Sequence, residues 1–291
     1  MPSFQEEVEQ IIDLALAEDL SHGDVTSETL IPPGLQGKAS ILIKAKGIVA
    51  GGEITRKVFL KADSSLKVKV LIKDGSKVEP GDTVLTISGS VISILKVERV
   101  ALNFLSKLSG IASETARYVA ETQGCPVIIT DTRKTTPGLR LLEKYAVRAG
   151  GGQNHRLHLG DGILIKDNHL VALRILGMSL KEIVARAKQN APRGLTVEVE
   201  VNSPEEALEA AEAGADIIML DNMSPDEMRR VVSLIPEQIK TEASGGINLA
   251  NVQAAAMAGV NIISIGALTH SAQALDVSLE LEPQTVKLKL I

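Results

Sequence analysis

The chain has 291 residues, of which 44% are hydrophobic and 23% charged, values that are typical of globular proteins and exclude both a disordered chain and a small disulfide-stapled scaffold. Thirty-one Lys and Arg against 36 Asp and Glu give a net charge of −5, so we expect no nucleic-acid partner and no binding to anionic membranes, because both need a basic surface. With one cysteine, Cys125, an acidic start and no apolar run of about 20 residues, the sequence predicts a cytoplasmic protein without a membrane span or an internal disulfide.

The first third of the chain is predicted to mix helices and strands. Apolar residues at near-helical spacing predict a helix over about 8–16, and the polar stretch 19–29 predicts a loop. Residues 97–122 carry apolar residues three and four apart and predict one or two helices, with a domain boundary near residue 112. Between these elements, turn residues separate short β-rich runs that predict an antiparallel segment, at 39–43, 66–71 and 83–87.

From about residue 127 the pattern changes to short apolar strands that alternate with helices. The last four predicted strands begin 21, 23 and 22 residues apart, which fits one strand, one helix and two loops. The predicted strands are 127–132, 163–166, 196–201, 217–220, 240–243 and 262–265, with an additional one considered at 145–148. The predicted helices between the last four are 204–213 and 225–234, with another at 249–258.

Polar residues fall at the carboxyl ends of these predicted strands. Parallel strands that close into an αβ barrel bring those ends together on one face, whereas a flat doubly wound sheet concentrates its site at one crevice. Because six strand ends carry such residues, the pattern favours closure. The residues are Asp131, Arg133 and Lys134 after the first strand, Lys166 and Asn168 after the second, Glu200 on the third, Asp221 after the fourth, Ser244-Gly245-Gly246 after the fifth and Gly266 after the sixth.

A basic stretch lies within this array. Residues 133–166 hold seven Arg or Lys against Glu143 and Asp161, a charge of +5. Four of these cations lie at strand ends or in a glycine-rich loop, where they can bind a carboxylate or phosphate: Arg133, Lys134, Arg156 and Lys166. The other three are expected to form a solvated basic face on a helix: Arg140, Lys144 and Arg148.

Two glycine-rich segments are candidates for holding an anion by its backbone. The loop 150–156 brings His155 and Arg156 beside the basic strand ends. Ser244-Gly245-Gly246-Ile247, followed by a predicted helix and by Gly266 at the next strand end, matches the phosphate cradle of barrel enzymes. The sequence contains no P-loop or dinucleotide-binding motif, and the spacing of His155 and His158 does not match a zinc protease motif.

Glu200 and Asp221 each close an apolar strand opposite the cations. By alternation, Glu198 and Glu200 share one strand face, and two carboxylates directed into a barrel are costly without a cation. A divalent metal that bridges to phosphates is one partner for Glu200 and Asp221, and salt bridges to Arg133 or Lys166 are the alternative. The ligand is therefore expected to carry several negative charges, including a phosphate.

Four motifs together resemble the quinolinate phosphoribosyltransferase family, the carboxylating nicotinate-nucleotide pyrophosphorylases. They are residues 131–138 (DTRKTTPG), 150–156 (GGGQNHR), 165–169 (IKDNH) and 242–247 (EASGGI). The resemblance extends to 18–26 (EDLSHGDVT) and to 108–112 (LSGIA), so it covers the whole chain.

The resemblance implies the condensation of quinolinate with phosphoribosyl pyrophosphate and loss of CO2, giving nicotinate mononucleotide and pyrophosphate in NAD biosynthesis. It also implies Mg²⁺ and a homodimer in which Arg99 reaches the partner's site. The implied fold is an incomplete, seven-stranded α/β barrel over 113–270, joined to an N-terminal α/β open sandwich formed by 1–112 with 271–291.

The family's site residues are carried over by motif. Quinolinate would be bound by Arg99, Arg133, His155, Arg156 and Lys166. The ribose, pyrophosphate and metal would be handled by Lys134, Glu200 and Asp221, with the metal held through substrate and water. The 5-phosphate would be bound by Ser244, Gly245, Gly246, Gly266 and His270.

Two alternatives stay open at this stage. A relative that uses nicotinate or another ring acid without decarboxylation would need fewer cations, and CO2 release separates the two activities. The turn-rich stretch 74–82 within 38–90 resembles a lipoyl or biotinyl carrier domain, but a carrier has no use for charged residues on six strand ends. A purine-type phosphoribosyltransferase is not expected, because these enzymes carry two adjacent acids after their strand and 217–222 (IIMLDN) contains one.

Overall fold

The computed structural model describes residues 3–288. Two compact units divide the chain. The first unit comprises Met1–Ala116, Thr136–Gly151 and Ser271–Ile291, and the second comprises Arg117–Thr135 and Gly152–His270. The domain division at residues 112 and 270 stays a prediction.

The first unit is built on an antiparallel sheet with the strand order β12-β1-β5-β3, and β13 also pairs with β1. The strands of the first unit are β1 (Leu35–Ile43), β2 (Gly47–Ile48), β3 (Lys67–Val70), β4 (Lys77–Val78), β5 (Thr83–Ser90), β12 (Val277–Leu281) and β13 (Lys287–Leu288). Its helices are α1 (Phe4–Leu20), α2 (Val25–Leu30), α3 (Gly52–Ala62) and α5 (Arg140–Ala149). Helix α4 (Val91–Glu121) begins in this unit and ends in the second. The antiparallel segment predicted for 38–95 is confirmed.

Three predictions for this unit need correction. The polar stretch 19–29 contains α2, because Asp24 caps it by accepting a hydrogen bond from the backbone N–H of Ser27. The strand considered at 145–148 lies inside α5. Lys144, expected on a solvated face, is 1% exposed. The prediction was wrong because charges four residues apart indicate a shared helix face but not whether that face is covered.

The second unit contains a parallel six-stranded sheet with the order β6-β11-β10-β9-β8-β7. Its strands are β6 (Ile128–Thr130), β7 (Ile163–Ile165), β8 (Val197–Val201), β9 (Ile217–Asp221), β10 (Lys240–Ser244) and β11 (Ile262–Ser264). The helices are α6 (Asp167–Arg174), α7 (Leu180–Asn190), α8 (Pro204–Glu212), α9 (Pro225–Leu234), α10 (Val252–Met257) and α11 (Ala267–His270). All six predicted strands are confirmed, and the fold is α/β with a barrel-like parallel sheet.

The resemblance implies seven strands, and in the described part of the second unit one bridged residue pair lies beside the six-stranded sheet. Gln153 forms an isolated parallel bridge with Thr130, next to β6. Two backbone hydrogen bonds make this contact, from Gln153 N–H to the Ile129 carbonyl at 2.8 Å and from Asp131 N–H to the Gln153 carbonyl at 3.3 Å. The glycine-rich loop therefore contributes a contact rather than a full strand, and it is fixed beside the end of β6.

Alternation along β8 decides which of its side chains face the polar interior. Val197, Val199 and Val201 are buried at 0–2% exposure, whereas the intervening Glu198 and Glu200 are directed to the other side of the sheet. Val197 is held in register by Asp216, whose carboxylate accepts its N–H at 2.7 Å and also contacts Lys188. The strand thus presents two carboxylates in successive layers.

Candidate active site

A pocket of about 320 Å³ opens where the strands of the second unit end. We call it the strand-end pocket. It brings together the polar ends of β6, β7, β8, β9 and β10, and therefore most of the predicted site. Its lining residues are Thr132, Arg133, Lys134, His155, Arg156, Leu164, Lys166, Glu200, Met219, Asp221, Ser244, Gly245 and Ser264.

Hydrogen bonds hold the turn after β6 that carries two of the cations. The backbone N–H of Lys134 donates to Thr132 Oγ1 at 3.0 Å, and its carbonyl accepts from Thr269 Oγ1 at 2.8 Å. The Nε of Arg133 is buried and has no hydrogen-bond partner within residues 3–288. A buried donor without a partner is costly, so this guanidinium is suited to an acceptor that a ligand brings.

Arg156 shares the pocket with Arg133. Its Nη1 donates to the carbonyl of Gly162 at 3.2 Å. Burial lowers the pKa of Arg156 below its ordinary value, and the charge of Arg133 lowers it further. Two guanidinium groups in electrostatic contact form a site for an anion, because a carboxylate can accept from each of them.

The acidic side of the pocket lies at the ends of β8 and β9. Burial raises the pKa of Glu200; the negative charge of Asp221 adds to this effect, while Lys166 opposes it. Lys166 Nζ lies 3.9 Å from Glu200 Oε2, so the ion pair considered from the sequence is present but long. Asp221 Oδ2 accepts from the side-chain amide of Asn222 at 2.8 Å. These carboxylate oxygens fit the hard oxygen ligands that Mg²⁺ prefers.

The backbone after β10 approaches the end of β9 closely. Gly245 has a φ of +80°, and a Cβ there would lie 2.5 Å from Asn222 Oδ1 and 2.6 Å from Asp221 Oδ1. Only glycine fits both the left-handed conformation and this contact. At the next strand end, a Cβ on Gly266 would lie 3.0 Å from Lys134 Cδ and 3.2 Å from the His270 ring. Lys134, Gly266 and His270 are therefore neighbours at this strand end.

One part of the predicted phosphate cradle differs from the structure. The helix expected directly after the glycines, over 249–258, is the shorter α10, which begins only at Val252. Asn251 Nδ2 donates to the carbonyl of Gly246 at 3.0 Å, which holds the loop between the strand and the helix. The anion-binding groups available here are thus the backbone of the glycine loop and neighbouring side chains, rather than a helix terminus.

Arg99 lies in the first unit, on α4, and is exposed. It lines a pocket of about 220 Å³ in that unit, together with Glu18, Asp19, Lys107 and Glu143. Glu143 is fully buried and forms an ion pair with Lys107 at 3.0 Å. The role predicted for Arg99 depends on a partner subunit and stays a prediction.

A second cavity of about 270 Å³ shares His155 and Arg156 with the strand-end pocket. We call it the lower cavity. His155 Nε2 lies 3.3 Å from Glu198 Oε2 and 3.5 Å from Glu242 Oε2, and these ligand atoms lie within 4.8 Å of one another. Such a set of donors could hold a metal ion. Sequence reasoning missed Glu242, although a carboxylate inside the strand 240–243 was the signal that could have revealed it.

The charge of this cluster follows from its burial and its carboxylates. Burial lowers the pKa of His155, but the hydrogen bonds and charges of Glu198 and Glu242 outweigh this effect and raise the pKa to about 10. Burial also raises the pKa of Glu198. The two carboxylates therefore favour the protonated form of the His155 ring.

Comparison with known proteins identifies the family. The model of the quinolinate phosphoribosyl transferase C-terminal domain matches residues 111–280, and that of the N-terminal domain matches residues 24–109. The chain belongs to the quinolinate phosphoribosyltransferase family. It is a decarboxylating phosphoribosyltransferase that acts on quinolinate and forms nicotinate mononucleotide in NAD biosynthesis.

Curated relatives match this quinolinate phosphoribosyltransferase over nearly their full length. The probable nicotinate-nucleotide pyrophosphorylase (carboxylating) of Bacillus subtilis is 43% identical over 275 residues, which cover 94% of this chain and 93% of the relative. The mitochondrial quinolinate phosphoribosyltransferase (decarboxylating) 2 of Nicotiana glauca is 39% identical over 294 residues, which cover 96% of this chain and 83% of the relative.

A solved structure agrees with the fold. NadC from Streptococcus pyogenes is 43% identical and superposes with a TM-score of 0.90 over 97% of this chain and 98% of its own. Human nicotinic acid phosphoribosyltransferase is 14% identical with a TM-score of 0.58 and therefore shares only the fold. In the part of the chain that the structure describes, no helix is long and apolar enough to cross a membrane.

Proposed function

We propose that the strand-end pocket is the site at which quinolinate and phosphoribosyl pyrophosphate react. The observation that carries this proposal is the pair of arginines in electrostatic contact, Arg133 and Arg156, one with a buried Nε that lacks a partner among the described residues. A ring with two adjacent carboxylates supplies hydrogen-bond acceptors for both guanidinium groups. Lys166 lines the same pocket and adds a third positive charge.

The second substrate is proposed to occupy the side formed by β9, β10 and β11. The 5-phosphate would be bound by the backbone and side chains of Ser244, Gly245, Gly246, Gly266 and His270. The closeness of Gly266 to the His270 ring supports this assignment. Lys134 would then lie beside the pyrophosphate and stabilise the negative charge that develops as this group leaves.

Glu200 and Asp221 are proposed to hold Mg²⁺, chiefly through the substrate and water. Their carboxylate oxygens, together with the raised pKa of Glu200, support a cation at this position. When bound, Mg²⁺ would neutralise negative charge on the departing pyrophosphate. Glu200 and Asp221 would also stabilise the positive charge that the ribose carbon acquires before the ring nitrogen attacks.

The protein's part in decarboxylation is to orient the ring and exclude water. Once its nitrogen carries the ribosyl group, the pyridinium withdraws electrons from the adjacent carboxylate. The bond to this carboxylate breaks, CO2 leaves, and the electron pair stays on the ring carbon until a proton arrives. Arg133 and Arg156 would hold the substrate's carboxylates in place through this step.

The test of the assigned chemistry is product analysis with the purified protein, quinolinate, phosphoribosyl pyrophosphate and Mg²⁺. We expect nicotinate mononucleotide, pyrophosphate and CO2 in equal amounts, and loss of turnover in excess chelator that added Mg²⁺ restores. Full turnover in chelator would exclude the metal assignment. Turnover of quinolinate without CO2 release would exclude the proposed decarboxylation step.

We further propose a cytoplasmic homodimer in which Arg99 completes the partner's pocket. Mixing the inactive variants Arg99→Ala and Lys134→Ala tests this arrangement, because a mixed dimer has one intact site. Random exchange of subunits restores about a quarter of the wild-type activity. A mixture that stays inactive although subunits exchange would exclude the shared site.

A further inference from the structure

The cluster of His155, Glu198 and Glu242 lies where the strand-end pocket and the lower cavity meet, since His155 lines both. Glu242 is 1% exposed and Glu198 is 4% exposed. Neither oxygen of Glu242 has a hydrogen-bond partner within residues 3–288, and the charged group in contact with it is His155 Nε2 at 3.5 Å. A buried carboxylate in this position is costly unless the contact with His155 persists.

The hydrogen on Nε2 distinguishes a hydrogen-bonded cluster from a metal site. The backbone N–H of Arg156 donates to His155 Nδ1 at 2.9 Å, so the neutral ring carries its hydrogen on Nε2. The imidazolium form keeps the hydrogen on Nε2, but it adds one to Nδ1 and thereby gives up the hydrogen bond from Arg156. With this hydrogen in place Nε2 donates toward Glu198 and Glu242, and a metal ion could bind there only by displacing it. His155 Nε2 therefore contacts both buried carboxylates, at 3.3 Å and 3.5 Å.

His155 is anchored at its backbone as well as at its ring. Its N–H donates to Asp131 Oδ1 at 3.0 Å, and Asn154 Nδ2 donates to Asp131 Oδ2 at 2.6 Å. Asp131 is fully buried and lies two residues before Arg133, while His155 directly precedes Arg156. The anchored His155 thus connects the loop that carries one pocket arginine to the strand end that carries the other.

We propose that Glu242, acting through His155, is a positioning residue for the pair of arginines that binds quinolinate. It fixes the imidazole ring from the lower cavity, and the fixed ring keeps the backbone of Arg156 beside the end of β6. This inference rests on the proposed function, because it takes Arg133 and Arg156 to be the carboxylate-binding groups. Glu198 supports the same ring from β8.

Two substitutions of Glu242 separate its acceptor oxygens from its size. Glu242→Gln keeps an acceptor oxygen facing Nε2, whereas Glu242→Met keeps the length and removes the acceptor. We expect Glu242→Met to raise the KM for quinolinate about tenfold, because the His155 ring loses the polar contact that fixes it. The KM for phosphoribosyl pyrophosphate and kcat should change less than about twofold, and Glu242→Gln should recover most of the loss.

Thr130→Val is the matched control. Thr130 also lines the lower cavity, is 5% exposed, and has a hydroxyl without a hydrogen-bond partner among the described residues. This nearly isosteric change alters the same cavity without touching the cluster, and we expect both KM values to stay at the wild-type level. An equal rise in the KM of both substrates for Glu242→Met, or a similar loss in Thr130→Val, would overturn the positioning role.

A measurement on the wild-type protein keeps the inference testable if Glu242→Met does not fold. Nitrogen NMR of the labelled His155 ring should show hydrogen on Nε2, both alone and with excess Zn²⁺. Coordination of Nε2 by Zn²⁺ would overturn the inference. If Arg133→Ala leaves the KM for quinolinate unchanged, the proposed function itself fails; if only Glu242→Met has no effect, the positioning role alone fails.

Discussion

Glu198 and Glu200 stand two residues apart on one face of β8, yet they meet different surroundings. Glu200, at the strand end, keeps 16% of its side chain exposed and lies 3.9 Å from Lys166. Glu198, one layer deeper, keeps 6% exposed and contacts His155 at 3.3 Å. Depth along the strand therefore separates a carboxylate that is free to meet a ligand from one that supports the protein's own histidine.

The same separation applies to the two cavities. The strand-end pocket is lined by Arg133, Lys134 and Lys166, whereas the lower cavity is lined by the buried acids Glu198 and Glu242; the two cavities share His155 and Arg156. A binding site needs a supporting layer, because groups that bind a ligand must be held in place by neighbouring residues. Substitutions that act on one layer and spare the other test this division.

The largest effect is expected for Arg133→Ala. The change removes a forked donor from the strand-end pocket, and we expect kcat/KM for quinolinate to fall. The fall should correspond to a loss of about 2 to 4 kcal/mol of transition-state stabilisation. Arg133→Lys should recover only part of the loss, because an ammonium keeps the charge without the fork. Steady-state kinetics with each substrate varied in turn checks this, and an unchanged kcat/KM for quinolinate would contradict it.

Gly245→Ala should have the next largest effect. Gly245 has a φ of +80°, and an added Cβ would lie 2.5 Å from Asn222 and 2.6 Å from Asp221. We therefore expect the variant to lose about 1 to 3 kcal/mol of stability. We also expect the KM for phosphoribosyl pyrophosphate to rise about tenfold or more, since small displacements at a site are costly. Thermal unfolding and substrate kinetics measure the two effects.

Gly214→Ala is the control for Gly245→Ala. Gly214 has a similar φ of +87°, but a Cβ there would meet no atom within 4 Å. It should lose about 1 kcal/mol of stability and leave both KM values unchanged. A similar kinetic defect in both variants would show that backbone strain, rather than the position beside Asp221, causes the loss.

His155, at the lower cavity, should make the free energy of unfolding depend on pH. The pKa of His155 rises from 6.5 to about 10, because the carboxylates outweigh burial. Its contribution to the free energy of unfolding is therefore complete below pH 6.5 and is lost as the pH rises through about 10. The stability difference between the wild type and His155→Gln should shrink over that window in urea titrations, and a constant difference would contradict the buried cluster.

The smallest effect is expected for a cation outside both layers. Arg174 on α6 contacts Glu206 at 2.6 Å, and its side chain is 45% exposed. Arg174→Ala should change the free energy of unfolding by less than about 1 kcal/mol, the usual range for an exposed ion pair. The kinetic constants should not change. A clear loss of quinolinate binding would show that overall charge, and not position at a strand end, governs the site.

Local sequence patterns were sufficient for the strands and for most of the pocket. Runs of aliphatic residues bounded by turns predicted all six parallel strands, because buried parallel strands need such runs whatever surrounds them. The positions of Arg133, Lys166 and Asp221 after those runs then predicted a common face. The pocket contains all three.

The predictions that failed depended on packing. Residues 145–148 lie in a helix whose apolar positions face a core that no local pattern reveals, and the burial of Lys144 follows from the same packing. Burial is a property of the assembled fold, so a pattern within one segment predicts it poorly.

The amino-acid sequence by itself determined which side chains stand at the strand ends, because the repeating strand and helix pattern is local. Only the tertiary structure decided that His155 meets Glu198 and Glu242, three residues from separate segments of the chain. The depth of each carboxylate, and therefore its charge and its role, depends on how the strands stack into layers. That arrangement arises only when the sheet is complete.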